Sequence, residues 1–116
     1  MMGRIPAVFG GFAGAAGVAL LALGAHHKGG ANLTTAGGML MVHAPLLYLL
    51  GLSGAGGLMQ RSGLGFIIMG LILFSGSLTL RVFTGITLLP MLAPMGGSAL
   101  ILGWTILAIG ALIGKR

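Results

Sequence analysis

The chain has 116 residues and a mean hydropathy of +1.14; 57% of it is apolar, 24 residues are glycine and only 5% are charged. A soluble domain carries roughly 25% charged residues, so this composition excludes a water-soluble fold and places the chain in a membrane. The net charge of +6 comes from Arg4, Lys28, Arg61, Arg81, Lys115 and Arg116. These cations stand singly between apolar runs and form no patch of the kind that nucleic acid requires; they read as topology signals and as contacts for anionic lipid.

Four stretches approach the roughly 20 apolar residues that a membrane helix needs. The expected spans are 5–25, 36–58, 63–83 and 94–113, a single four-span domain. Between the first two, the segment 26–35 holds HHKGG and AN and reads as a loop. Gln60, Arg61 and Ser62 read as a short turn. The stretch 86–93 is apolar but too short to cross and carries Pro90, so it reads as an interfacial or re-entrant connection. Pro94 suits the first turn of the fourth helix. The first span is longer than the apolar core of a cleaved signal peptide and is striped with glycine, so it is expected to remain as a helix. With four spans, Arg4, Arg61, Lys115 and Arg116 share one side, and Lys28 and Arg81 the other. The positive-inside rule then expects both termini in the cytoplasm.

The chain contains no Asp, Glu or Cys. This removes paired-carboxylate catalysis, carboxylate-bound calcium or magnesium, and proton carriage on an intramembrane acid. It also removes disulfides, zinc–thiolate sites, iron–sulfur clusters and thiol nucleophiles.

The glycines are periodic. Gly10, Gly14, Gly17 and Gly24 share a face of the first span. Small residues recur every seven positions as Gly37, Ala44 and Gly51, as Gly63, Gly70 and Ser77, and as Gly96, Gly103 and Gly110. Lipid gives helices no hydrophobic drive to associate, and small residues substitute close backbone contact. The expected architecture is an all-α integral membrane four-helix bundle with glycine-striped helices. A stripe can also serve a partner subunit or a second copy, and Gly10 and Gly14 form a GxxxG pair.

Few polar side chains remain. Chain direction alternates, so His26, His43, Ser75, Ser77, Pro94, Gly96 and Gly97 are expected near one membrane face, the outer one, as a candidate polar cluster. Pro45 cannot donate to the Met41 carbonyl and is expected to kink the second helix; a Ser hydroxyl or a His ring from another span is the expected partner of the freed carbonyl. His43 is expected to be hydrogen-bonded across the bundle. A sharper alternative gives His26, His27 and His43 with Met39, Met41, Met91 and Met95 to copper, or His26 and His43 to a haem. Against it stands the lack of any HxxxH or MxxM run. Ser75 or Ser77 with His43 is the one nucleophile–base pair available, and no acid exists to orient the imidazole. Arg81 shares the face of Ser77 and is expected to snorkel to the interface.

Several segments, in order, resemble one family. LALGAH (21–26) is similar to the end of that family's first helix. LMVHAPLLYLLGL (40–52) places His43 where the family has a second-helix histidine. LFSGSL (73–78) resembles its third-helix signature, and APMGG (93–97) with Gly103 and Trp104 resembles its fourth helix. The family is the domain-of-unknown-function 423 family of small bacterial inner-membrane proteins, with eukaryotic relatives of the transmembrane protein 256 type. The resemblance implies a four-helix membrane protein and no defined chemistry. Met39 stands where many relatives are expected to have an aromatic hydroxyl, and the first loop is short and lacks acids.

The functional expectation is a non-enzymatic membrane protein that needs no cofactor. It would act by helix packing, as an accessory or assembly subunit of a membrane complex or as a self-associating unit, and would not bind nucleic acid. The alternatives are a transport protein for a small solute or ion using the His/Ser cluster, and a haem- or copper-binding protein.

Overall fold

A chain in lipid must satisfy its own backbone polar groups, and a helix does so within one segment. The computed structural model describes residues 4–27, 30–53, 57–85 and 91–114. These residues form α1 (Ile5–His26), α2 (Gly30–Ser53), α3 (Leu58–Thr84) and α4 (Leu92–Ile113). Each is long and apolar enough to cross a membrane. Helices of 22 to 27 residues measure about 33–40 Å, against a hydrocarbon core of about 30 Å. The protein is an all-α, multi-pass membrane four-helix bundle.

Four helix boundaries differ from the sequence expectation: the second span, expected to reach residue 58, ends at Ser53, and Leu58 instead opens α3. α2 begins at Gly30 rather than near residue 36, so Asn32, Thr34 and Thr35 are helical. The poor helix formers of this stretch are held by packing: a Cβ on Gly30 would collide with the Gly24 backbone of α1. Only glycine permits that approach, which starts the hairpin immediately after a minimal turn. Gln60, Arg61 and Ser62, read as a turn, lie in the first turn of α3, where the Arg61 N–H donates to the Gly57 carbonyl at 3.1 Å. α4 begins at Leu92, so Pro94 falls third in its first turn, where its missing N–H leaves no bond unmade. The expected re-entrant connection falls mostly on 86–90, outside the described residues.

The glycine stripes build two antiparallel hairpins. In the first, Gly10 faces the Ala44 carbonyl and Tyr48, Gly17 faces Gly37 and Met41, Gly24 faces Gly30 and Thr34, and Gly51 lies on Ala7. Gly14 meets only the Ala44 methyl, at an ordinary contact distance. In the second, Gly63 faces Gly103, Gly70 faces Gly96, and Gly110 lies over Met59. A Cβ placed on Gly70 would come within 2.7 Å of the Gly96 carbonyl oxygen, and one on Gly103 within 2.9 Å of the Gly63 carbonyl oxygen. The heptad spacing keeps each stripe against its partner along the helix.

Larger side chains join the hairpins. α2 and α3 pack against each other, and Leu33, Leu40 and Leu47 of α2 share one buried cluster with Leu64, Ile67 and Leu71 of α3. Leu33, Leu47, Ile67 and Leu71 are fully buried. Outward faces carry Phe12, Val42, Leu49, Met69, Ile101 and Leu112, an apolar surface suited to acyl chains. Two hairpins side by side leave two crevices, one between α2 and α4 and one between α1 and α3. What fills each is the main functional question.

Candidate polar site and apolar groove

The α2–α4 crevice is closed by a histidine and a tryptophan. His43 is the 14th residue of the 24-residue α2, and Trp104 the 13th of the 22-residue α4. α2 and α4 run in the same direction, so both reach the middle of the bundle. The Trp104 Nε1–H donates to His43 Nε2 at 2.9 Å, and the two rings tilt at 51° with centroids 5.7 Å apart. An indole nitrogen only donates, so Nε2 is the unprotonated nitrogen and the proton sits on Nδ1. That Nδ1–H donates to the Met39 carbonyl one turn back, at 2.7 Å. His43 is therefore neutral, buried and bonded at both ring nitrogens.

Ser75 makes a second cross-link. It is buried on α3, and its hydroxyl donates to the Ala36 carbonyl of α2 at 2.9 Å. The bonds that reach α2 from other helices thus fall on the Ala36 carbonyl and on His43 Nε2, not on the carbonyl of Met41, which Pro45 deprives of its usual donor. α2 continues through Pro45 as one helix to Ser53.

The seven residues expected to gather at one face separate into distinct places. His43 is at mid-depth with Trp104, and Ser75 is on Ala36. Ser77 bonds the Phe74 carbonyl of its own helix at 3.1 Å. Gly96 is pressed on Phe74 and Gly70, whereas Gly97 faces open space. Pro94 and His26 are exposed at helix ends. The structure brings none of the other six into side-chain hydrogen bonding with His43, and His26 and His43 do not converge. Either nitrogen of His43 could ligate a metal only by giving up Trp104 or Met39. Among the described residues no three His, Cys, Asp or Glu side chains come together.

A family model described as "Protein of unknown function (DUF423)" matches residues 13–97, most of the chain. The chain belongs to the domain-of-unknown-function 423 family. No curated protein and no solved structure matches it. In this family member the matched segment runs from mid-α1 into the second turn of α4. It includes His43, Ser75 and Gly96 and stops short of Trp104.

Trp104 is the site residue that the sequence reading left out of the cluster. With α2 started near 36, the sequence places His43 two turns deep and Trp104 nearly three. With α2 started at Gly30, both sit about 18–20 Å along their helices. An indole N–H at mid-membrane depth needs an acceptor, since lipid offers none, and a neutral imidazole at the same depth supplies one.

The other crevice is not filled. Between α1 and α3 lies a cavity of about 690 Å³, open along one side. Ala13, Ala16 and Ala19 of α1 and Gly76 of α3 keep it hollow, while Phe9, Phe12, Leu80 and Phe83 are among the larger residues lining it. At one end the Phe83 ring meets His27 edge-on, with centroids 5.5 Å apart.

Proposed function

We propose that this member of the family is a non-enzymatic membrane subunit that acts by helix packing, as an accessory or assembly component of a larger membrane complex or as a self-associating unit. The observation that carries this reading is the use made of the polar side chains that join the helices. His43, Trp104 and Ser75 are engaged with one another or with backbone carbonyls, and each bond ties one helix to another or back to itself. Such groups fix a packing arrangement, and among the described residues no buried side-chain nitrogen or oxygen is left without a hydrogen-bond partner. The outward surface is apolar on every helix, so a protein partner would recognise shape and dispersion contacts within the bilayer.

The proposed setting is a bacterial inner membrane with both termini in the cytoplasm. Arg4 and Arg61 mark that side, and Arg81 and Lys28 the opposite one. Because the chain has no native cysteine, single cysteines introduced near residue 4 and near residue 84 report topology directly. A membrane-impermeant thiol reagent applied to intact cells should label only the second.

The test of function is purification of the tagged chain from its native membrane in mild detergent, with mass spectrometry of what co-elutes. A stoichiometric membrane partner or a defined homo-oligomer is the expected result. A lone chain that moves a solute across liposomes, with flux abolished by His43→Ala, would overturn the proposal in favour of transport.

A further inference from the structure

We infer that α4 of one chain packs on α1 of a second copy of the chain, head to tail, in the manner of α2 on α3 within one chain. This deepens the self-associating form of the proposed function and rests on it. The observation behind it is that the two hairpins are one structural unit used twice. Gly10, Gly17 and Leu21 of α1 stand where Gly63, Gly70 and Phe74 stand in α3. Gly37, Met41, Ala44 and Tyr48 of α2 stand where Gly96, Leu100, Gly103 and Leu107 stand in α4. The contacts repeat atom for atom. A Cβ on Gly17 would meet the Gly37 carbonyl oxygen at 3.0 Å and Met41 Cγ at 2.8 Å; one on Gly70 would meet the Gly96 carbonyl oxygen at 2.7 Å and Leu100 Cγ at 2.8 Å. Across the same pairs, a Cβ on Gly37 approaches the Leu21 nitrogen and one on Gly96 the Phe74 nitrogen.

A unit used twice presents each of its faces twice. Within the chain, the seam joins the α2 face of Leu33, Ala36, Leu40 and Leu47 to the α3 face of Leu64, Ile67, Leu71 and Ser75. The same register carries the α2 face onto Leu92, Met95, Ala99 and Ile106 of α4. It carries the α3 face onto Gly11, Gly14, Val18 and Ala22 of α1. These two faces do not cover each other, because among the described residues α1 and α4 do not meet within one chain. Val18 and Met95 are 56% and 51% exposed, and a Cβ on Gly11 would meet nothing within 4 Å. α1 runs in the direction of α3, and α4 in that of α2. A second copy inserted the same way therefore brings its α4 antiparallel onto α1, as α2 lies on α3. The faces also complement one another in size. Gly11, Gly14 and Ala22 leave a low floor on α1, and Met95 and Ile106 of α4 supply the larger side chains, a combination that allows the close approach on which helix association in lipid depends. The contact is heterologous, so every copy retains one free α1 face or one free α4 face until a ring closes.

One internal pair fixes where to test. Ser75 bonds the Ala36 carbonyl across the seam, and the equivalent positions are Ala22, near the end of α1, and Met95, near the start of α4. Both are exposed. The chain has no native cysteine, so Ala22→Cys and Met95→Cys can be placed on differently tagged copies and oxidised in isolated membranes with copper–phenanthroline. The mixed pair should form a disulfide-linked dimer, and neither variant should do so when oxidised alone. A chain carrying both cysteines should give a ladder of multimers, since α1 and α4 do not meet within one chain. Gly11→Trp, which sets a ring on the α1 face from an open position, should abolish the mixed dimer. Phe12→Trp, at a 73% exposed position off that face, should leave it, and circular dichroism checks that both variants keep their helices. Dimers of Ala22→Cys with itself in place of the mixed pair overturn the head-to-tail contact, as does an undiminished mixed dimer in Gly11→Trp. Differently tagged copies that fail to co-purify in mild detergent overturn it too. A different membrane protein eluting with the chain would then keep the assembly-subunit form of the proposed function, whereas a lone chain would overturn both.

Discussion

The Trp104–His43 bond is the only hydrogen bond between side chains of different helices among the described residues, and its contribution can be isolated. Trp104→Phe keeps a ring in the crevice and removes the donor, leaving His43 Nε2 without a partner in a site where the residue is 3% exposed. His43→Leu removes the acceptor and orphans the indole N–H. The Met39 carbonyl is less affected, because the His43 backbone N–H lies at the helical position to bond it. Leaving one buried polar atom unmatched costs about 1–3 kcal/mol, whereas hydrogen bonds between membrane helices contribute about 0.6–2 kcal/mol. Each single variant should therefore destabilise the fold by about 1–3 kcal/mol. The double variant leaves neither group orphaned and should fall short of the sum by about 1 kcal/mol. Reversible unfolding in mixed micelles followed by circular dichroism is the suitable assay, since Trp104 is the sole tryptophan and cannot report on its own loss. Additivity within about 0.3–0.5 kcal/mol would refute the claim that the two side chains pin α4 to α2.

The glycines predict opposite signs on the same helix pair. Gly96→Ala places a methyl within 2.5 Å of the Phe74 nitrogen and 2.8 Å of the Gly70 carbonyl oxygen, and should destabilise by about 1–3 kcal/mol. Gly76→Ala and Gly97→Ala meet nothing within 4 Å, and should be neutral or stabilising by up to about 1 kcal/mol; the same unfolding assay distinguishes them. Leu71→Ala removes a fully buried side chain from the seam between hairpins and should cost about 2–5 kcal/mol, seen as early separation of α2 from α3 by crosslinking between introduced cysteines. Ser75→Ala leaves the Ala36 carbonyl at a helical acceptor position, so only about 0.5–1.5 kcal/mol should be lost, measured as a shift in thermal midpoint.

Composition and period made the bundle legible. Seven-residue spacing of small side chains survives any error in helix ends, because a stripe is defined by relative position. Gly63, Gly70, Gly96 and Gly103 are paired in the structure as their spacing allows, and the first-helix stripe lies against α2. The polar site was less legible because it depends on absolute depth. A shift of six residues at the start of α2 moves His43 by about 9 Å, enough to move it from one surface to the middle of the membrane. That shift arose at Gly30, Asn32, Thr34 and Thr35, whose local preference for turns yields to the backbone contact between Gly24 and Gly30. Ser75 is legible in the sequence as a polar residue within the third span, yet its acceptor, a main-chain carbonyl of Ala36, carries no residue signature. The α1–α3 groove also had none, since Ala13, Ala16 and Ala19 read equally well as packing residues.

The two crevices differ in a way that bears on how the molecule holds its shape. Each hairpin is locked by backbone contact along its glycine stripe and should move as one body. The hairpins meet along the leucine-rich seam of α2 and α3, which lies between the crevices and is the natural axis for any rocking of one hairpin against the other. On one side of that axis the His43–Trp104 bond limits opening. On the other, no described hydrogen bond joins α1 to α3, and a cavity of about 690 Å³ lies between them. Rocking that narrows the groove must stretch or break the 2.9 Å bond. The ring pair is therefore expected to limit how far the groove can narrow. In this arrangement Trp104→Phe should bring α1 closer to α3, although Trp104 does not line the groove between them. Faster disulfide crosslinking between single cysteines introduced at Ala16 and Gly76 in Trp104→Phe, with an unchanged helical content, would link the two crevices; an unchanged rate would show that the leucine seam alone sets the width of the groove.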